Sequence, residues 1–399
     1  MNSRRKFLGQ VASGLAGTLA VAPSLAASDR VRLGVIGAGD RGTELVHQIQ
    51  ACSNTEIVAF ADIYTKRLEK VGGLLPRAAL HQDYRRVLDD GSIDAVIIAT
   101  PPHVHEEHFC AALAAGKHVY LEKNLALSVE AAKRMRAAHQ EDAGRHAVQI
   151  GHQACSSGHA FDVARFFAEP DLVGPMAALA MRHHRNTPAG KPQWARPAML
   201  TSDVNPHNIA WEHFSAKPFD ANQYVHWRYF WEYSSGPVSE YMSQQLAFWY
   251  RALNLEIPNS AMASGGVYLW RDGRETPDTM EVSFAQPEQL MIHWSSGFGN
   301  NHLGVGEELL GHHGTIARNN QVRYVPQKMT RPGAPEMLGR SSALPHNHVQ
   351  NFLDAVRFGS QTNCPFELGY RVAVASIMAV DSYLQRRTVY WDPASETIV

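Results

Sequence analysis

The run Val31-Arg-Leu-Gly-Val-Ile36, leading straight into Gly37-Ala38-Gly39-Asp40-Arg41-Gly42, decides the fold. An amphipathic stretch from about Thr43 to Ala51 follows, and then a second apolar run, Ile57-Val-Ala-Phe-Ala61, ends in Asp62. The order is strand, glycine loop, helix, strand, acid. In such a unit Gly37 permits the tight turn, Gly39 lets backbone approach a pyrophosphate, and Gly42 lets helix and strand pack closely. Phosphates then rest on the helix N-terminus, where N–H groups point outward. Asp62 stands twenty residues past Gly42. A carboxylate there accepts from both ribose hydroxyls and repels a 2′-phosphate. The reading is a dinucleotide site for NAD, with NADP disfavoured but kept open by Lys66 and Arg67 nearby.

The same rhythm continues outward. Ile93-Asp-Ala-Val-Ile-Ile-Ala99 reads as a buried strand stopped by Thr100-Pro101-Pro102. His103 to Ala115 reads as a helix with Gly116 past its end, and His118-Val-Tyr-Leu-Glu122-Lys123 as the next strand. Ligands in doubly wound sheets bind at the carboxyl ends of the strands, so Thr100, Pro101, Glu122 and Lys123 are expected along the cofactor cleft. The predicted fold class is α/β: a Rossmann domain over residues 28–151, then an α+β domain over residues 152–399 built on a large, mostly antiparallel sheet. Alternating stretches such as Thr279-Met-Glu-Val-Ser-Phe284 and Leu290-Met-Ile-His-Trp294 suit strands with one face covered. Helices near Phe161–Ala168, Val238–Leu253, Asn347–Phe358 and Tyr370–Arg386 are expected to cover that sheet. The Gly-, Asn- and Pro-rich region from about His302 to Leu344 is expected to be loop-heavy.

Composition narrows the function classes. The chain has 399 residues, 45% hydrophobic and 19% charged, ordinary for a globular protein of two or three domains. Lys+Arg is 37 against Asp+Glu 38, so no global basic field exists to hold nucleic acid or an anionic membrane. Cys52, Cys110, Cys155 and Cys364 show no C-x-x-C spacing, which argues against a structural zinc site or a disulfide framework. The N-terminus, Ser3-Arg4-Arg5-Lys6-Phe7-Leu8-Gly9, an apolar Ala/Gly stretch and then Ser24-Leu25-Ala26-Ala27, reads as a twin-arginine export signal over residues 1–27. The expectation is a periplasmic protein, with no membrane segment after cleavage.

Ala99-Thr-Pro-Pro-His-Val-His105 and Ala114-Ala-Gly-Lys-His-Val-Tyr-Leu-Glu-Lys-Asn124 resemble the Gfo/Idh/MocA oxidoreductases, whose Glu-Lys-Pro hallmark stands here as Glu122-Lys123-Asn124. Glu275-Thr-Pro-Asp-Thr279, His348-Val-Gln-Asn-Phe-Leu-Asp-Ala-Val-Arg357 and Glu367-Leu-Gly-Tyr-Arg371 extend the likeness. The resemblance implies hydride transfer with a sugar, glycoside or related polyol, and a homodimer or homotetramer. It implies that Lys123 hydrogen-bonds the reacting hydroxyl, that Glu122 steadies the nicotinamide region, and that His103 and His105 occupy cofactor-loop positions, with Asp40 and Arg41 inside the glycine loop. The family's second catalytic element, an Asp followed four residues on by a His, matches Glu240 and Gln244, with Ala247 where many members carry a further Asp. Glutamine does not titrate, so Gln244 cannot be a general base, though it can orient a hydroxyl.

Substrate-binding candidates lie in the second domain. His184 and Arg185 follow the expected strand Ala177-Ala-Leu-Ala-Met-Arg182, whose end is expected to face the cleft; a solvated strand end is the plainer reading. Trp211, Trp227, Arg228, Trp231 and Tyr233 form an aromatic stretch suited to sugar faces and hydroxyls, or simply to a core, and Tyr241 follows Glu240. No metal is expected. Export of a folded protein to a compartment without an NAD pool implies that NAD stays bound through turnover. That admits a redox-assisted glycosidase, lyase or epimerase, and, because of Gln244 and Ala247, a cofactor-bound binding protein without catalysis.

Overall fold

The computed structural model describes residues 30–169, 171–187, 192, 194, 199–344 and 347–399. Residues 1–27, read above as a twin-arginine signal, lie outside the described residues. The first domain alternates β1 (Val31–Ile36), α1 (Asp40–Gln50), β2 (Thr55–Ala61), α2 (Thr65–Leu74), β3 (Ala79–His81), α3 (Arg85–Leu88), β4 (Ala95–Ile98), α4 (His105–Ala114), β5 (His118–Leu121), α5 (Val129–Asp142) and β6 (Val148–Ile150). All six strands are parallel, in the order β3-β2-β1-β4-β5-β6. Parallel strands covered on both faces must be apolar throughout, and all four residues of β4 are fully buried. The strand order reverses between β1 and β4, which opens a crevice at the carboxyl ends there.

The second domain holds α6 (His159–Ala168), β7 (Met176–His184), α7 (Ala221–Val225), α8 (Ser243–Leu253), β8 (Ser260–Gly266), β9 (Thr279–Gln286), β10 (Leu290–Gly297), β11 (Val305–Gly311), β12 (Gly314–Arg318), β13 (Val322–Pro326), β14 (Met337–Leu338), α9 (His348–Phe358), α10 (Phe366–Gln385), β15 (Val389–Asp392) and β16 (Thr397–Ile398). Its ten strands run β14-β13-β12-β11-β7-β10-β9-β8-β15-β16, and only the β7–β10 pair is parallel. Strands such as β10 alternate buried and exposed residues, as one covered face requires.

Two expectations fail. The region expected to be loop-heavy contains β11 to β14. Its glycines and charges hide the pattern because one of the charges points inward. Glu307 is 3% exposed. It accepts from Gln245 Nε2 at 3.0 Å, Trp249 Nε1 at 2.7 Å and Arg318 Nη1 at 2.6 Å. Helix α9, expected on the second sheet, packs instead on the first. Val349, Phe352 and Leu353 join Val31, Leu33, Leu45 and Ile49 in one apolar cluster. Its apolar stripe is legible in sequence, but a stripe does not say which sheet it covers.

The connection spanning residues 199–233 crosses back over the first domain. Ala210 N donates to Ile63 O at 2.9 Å and Thr65 N donates to Asn208 O at 3.0 Å. Tyr64 packs with Val204, Ile209, Trp211, Phe214, Tyr224 and Tyr233 in a cluster of its own. Among the described residues no helix is long and apolar enough to cross a membrane.

Candidate active site

The crevice between the domains is a cavity of about 350 Å³, within the range of small-molecule sites. Gly37, Gly39, Asp40, Arg41, Asp62, Thr100, Pro101, Glu122, Lys123, Arg228, Glu240 and Gln244 all line it. The glycine loop is built as its residues dictate. Gly37 sits at φ +96°, and a Cβ there would lie 2.8 Å from the backbone of Ala99. Helix α1 begins after Gly39 with no side-chain cap, so the amides of its first turn face the cleft as an anion site does. Asp62 is buried; Oδ2 accepts from Ala38 N at 2.8 Å and Oδ1 from Tyr64 N at 2.9 Å. The carboxylate therefore fastens the loop and still has acceptor capacity for a ribose hydroxyl. These features fit a dinucleotide: a helix N-terminus without a cap, a close-approach turn, and an acid at the second strand's end.

Arg67 flanks the same end. Its Nη1 lies 3.7 Å from Asp62 Oδ2 and donates to Tyr224 Oη at 2.8 Å. Tyr224 and Phe214 line the cleft from the 199–233 connection. His103 does not line it. Its Nε2 donates to Phe214 O at 2.8 Å, tying the connection to the end of β4. His105 is also withdrawn, fully buried between Asn124 O at 2.8 Å and Thr100 O at 2.9 Å. Burial holds each of these rings down to a pKa of about 4. They clamp the loops that carry Thr100 and Lys123. Gly42 lies beneath the loop, against Gly37 O.

The other end of the cleft is charged. Arg41 spans it, with Nε 2.7 Å from Glu122 Oε1 and Nη1 2.8 Å from Glu44 Oε1. Lys123 Nζ donates to Ser239 O at 3.1 Å and lies 3.4 Å from Glu240 Oε2. The Lys123–Asn124 peptide is cis. Arg228 Nε lies 3.3 Å from Glu240 Oε1. Burial pushes the Glu240 carboxyl up, but the charges of Arg228 and Lys123 overcome that and bring it down to about 2. A π-turn over Val238–Met242 runs into α8 and presents Glu240 and Gln244 together, as spacing of four on a helix allows. Gln244 Nε2 donates to Glu240 O at 3.1 Å.

Four sequence candidates stand elsewhere: His184, Arg185, Tyr241 and Trp211 do not line the cleft. His184 Nε2 meets Ser295 Oγ at 2.7 Å, across on β10, and Arg185 is exposed, so the end of β7 does not reach the cleft. Strand parity is the reason: His183 takes the covered face, stacked 4.1 Å from the Tyr241 ring, and His184 takes the other. Tyr241 thus backs Glu240 rather than lining the cleft. Trp211 donates from Nε1 to Lys217 O at 2.6 Å and packs on Phe214 and Phe219, inside the 199–233 cluster. Phe214, Tyr224 and Gln153 also line the cleft. No sequence signal marked them, because their approach depends on where the connection lands. Among the described residues no group of three or more His, Cys, Asp or Glu side chains is placed to hold a metal.

Comparison with known proteins agrees with this geometry. Residues 31–152 match the GFO_IDH_MocA family, an oxidoreductase family with an NAD-binding Rossmann fold. Inositol 2-dehydrogenase of Klebsiella pneumoniae (strain 342) is 31% identical over 164 residues, 40% of this chain and 48% of that protein. A 1-carboxy-3-chloro-3,4-dihydroxycyclo hexa-1,5-diene dehydrogenase of Comamonas testosteroni is 32% identical over 132 residues, 33% of this chain and 32% of that protein. The chain spans about half the length, or less, of the curated relatives it matches. Among solved structures, an oxidoreductase domain protein from Kribbella flavida superposes with a TM-score of 0.71 at 16% identity, over 90% of this chain and 98% of that one. Aldose-aldose oxidoreductase from Caulobacter crescentus, complexed with glycerol, gives 0.67 at 16% identity, over 90% and 99%. These likenesses show the shared two-domain fold. What the comparisons share is residues 31–152, which match the model of an oxidoreductase family with an NAD-binding Rossmann fold.

Proposed function

We propose that this chain is an NAD-dependent oxidoreductase acting on a hydroxyl-bearing carbon of a sugar, glycoside or related polyol, with the NAD retained through turnover. The observation that carries this reading is the placement of Lys123, Glu240 and Gln244 in the same cleft as the glycine loop. When bound, the nicotinamide supplies the hydride acceptor. Gly37, Gly39, Asp40 and Asp62 would hold the dinucleotide; Glu122, pinned by Arg41, closes the far end. With Lys123 as the neutral amine, the proton of the reacting hydroxyl passes to its Nζ and forms the ammonium. Glu240, held ionised beside Arg228, does not take that proton; it orients Lys123 Nζ and stabilises the ammonium that forms. Gln244 keeps its side-chain oxygen for a second hydroxyl.

Asp62 favours NAD over NADP by repulsion of a 2′-phosphate. Retention is supported by the 199–233 connection, which is fastened at Ile63–Thr65 on one side and at His103 on the other. Phe214 and Tyr224 line the cleft from that connection, so they would help hold a bound dinucleotide. The twin-arginine stretch gives retention a purpose, since an exported protein carries its cofactor with it. A retained cofactor must also return its hydride, to the same substrate molecule or to a second one; this favours redox-assisted hydrolysis, elimination or epimerisation as the second reading.

Denaturing the purified protein and analysing the released nucleotide tests retention: about one NAD per chain is expected, and a cofactor-free or NADP-loaded protein overturns it. Lys123→Met tests the chemistry. Loss of a positioned proton acceptor lowers turnover by about 10²–10⁴-fold while bound NAD stays stoichiometric. Undiminished turnover in that variant removes Lys123 from the mechanism.

A further inference from the structure

We infer that Arg67 is a receptor for the 2′-phosphate of NADP, masked in this chain by Asp62, so that one carboxylate decides which dinucleotide is held. The inference rests on the reading of the cleft as a dinucleotide site and deepens it by naming the residue pair that sets cofactor choice.

The first argument is position. Asp62 stands just past β2, where an acid meets the ribose hydroxyls of NAD and an arginine close by accommodates a 2′-phosphate. Arg67 lies in the first turn of α2 and lines the same end of the cleft. Its Nη1 is 3.7 Å from Asp62 Oδ2. A Cβ placed on Gly39 would lie 3.7 Å from its guanidinium carbon. The group therefore stands beside both the acid and the glycine loop.

The second argument is what holds the guanidinium and what it leaves unused. Its carbon lies 5.9 Å from the Tyr64 ring centroid and 5.3 Å from that of Tyr224. Nη1 donates to Tyr224 Oη at 2.8 Å. Two aromatic contacts and one hydrogen bond orient the donor plane. Nε and Nη2 meet no acceptor among the described residues. Asp62 reaches the cation only at ion-pair distance, because its two oxygens already accept from Ala38 N and Tyr64 N. Asp62 thus offsets the charge of Arg67 without using its donors. Asp40 is the other carboxylate within electrostatic reach, and it is set against the positive end of α1. With Asp62 ionised, a phosphate would meet a carboxylate beside the cation that should receive it. With Asp62 replaced by a neutral side chain, the oriented donors are free to take a planar pair of phosphate oxygens.

The test reads which nucleotide each variant carries. Wild-type, Asp62→Ser, Asp62→Asn, Arg67→Gln and Asp62→Ser/Arg67→Gln proteins are made in one host and denatured, and the released NAD and NADP are separated and counted. Calorimetric titration with NAD and NADP supplies the ratio for any variant whose nucleotide washes off. In Asp62→Ser the NADP:NAD ratio is expected to rise by at least about 10- to 100-fold, the worth of hydrogen bonds to a charged group. Adding Arg67→Gln takes that factor back, and Arg67→Gln alone does not raise the ratio. Asp62→Asn keeps the shape of the acid and serves where the serine variant fails to fold. A ratio unchanged in both Asp62 variants overturns the inference, as does a rise that survives Arg67→Gln, or an emptied cleft in both Asp62 variants beside a loaded wild type. Wild-type protein already loaded with NADP overturns it too, since nothing would then be masked. If no protein in the set carries or binds either nucleotide, the dinucleotide reading itself fails, and the inference with it.

Discussion

Gly42→Ala is expected to empty the dinucleotide cleft. Helix propensity favours this change by about 1 kcal/mol, so any loss must come from sterics. A Cβ on Gly42 would overlap the carbonyl oxygen of Gly37 and press toward Gly37 C at 3.0 Å. The obstacle is backbone, which cannot rotate aside. Gly37 cannot retreat either: its N–H donates to Ala61 O at 2.8 Å, and its own space is closed by Ala99. The loop must therefore lift by about an ångström, which moves the α1 amides and the Ala38 N–H that Asp62 holds. Misplacement on that scale costs about 10²-fold, and overpacking adds about 1–3 kcal/mol of destabilisation. Purified Gly42→Ala protein should carry less than a tenth of the wild-type nucleotide and melt at lower temperature. A variant holding a full complement of NAD would show that the loop's close packing does not matter for binding.

The second large effect is acid lability. Burial holds six histidines neutral: His103, His105 and His348 down to about 4, and His108, His152 and His183 down to about 3, from an ordinary 6.5. The unfolded chain takes up these protons near pH 6.5 and the native state does not until pH 4 or below. The native state thus binds fewer protons, and its stability is full above pH 6.5 and falls as pH drops toward 4. Each histidine removes up to about 1.4 kcal/mol per pH unit, six together at most about 8, against a total stability of about 5–15 kcal/mol. Cooperative loss of the 222 nm dichroism is expected at roughly pH 5. His152 is fully buried and neither of its ring nitrogens has a hydrogen-bond partner among the described residues. His152→Leu should therefore move the midpoint to lower pH. A native spectrum persisting at pH 4 would contradict this account.

What the sequence disclosed is what short-range rules determine. The glycine loop, Asp62 and the strand-end pair Glu122–Lys123 were legible because turn chemistry and strand endings put them in one crevice whatever else the chain does. Glu240 and Gln244 were legible because helical spacing keeps them on one face. His184 was misjudged by parity: one residue along a strand changes the face, and the strand's register depends on partners far away in sequence. Helix α9 showed its stripe but not its destination, and β11 to β14 were hidden by an inward carboxylate whose three donors come from other elements. The approach of Phe214 and Tyr224 depended on the landing of a long connection, and no local pattern encodes that.

The docking of α9 on the first sheet has a consequence for biosynthesis. Vectorial synthesis delivers the first domain long before α9, so the apolar cluster that α1 and α2 build on one flank of its sheet stays incomplete until residue 358 has left the ribosome. Nascent chains arrested earlier would expose Val31, Leu33, Leu45 and Ile49 to solvent and to chaperones. Cofactor loading, maturation and any transport of the folded protein are therefore gated by the completion of almost the whole polypeptide, and a fragment ending near residue 152 should be aggregation-prone unless the missing helix is supplied in trans.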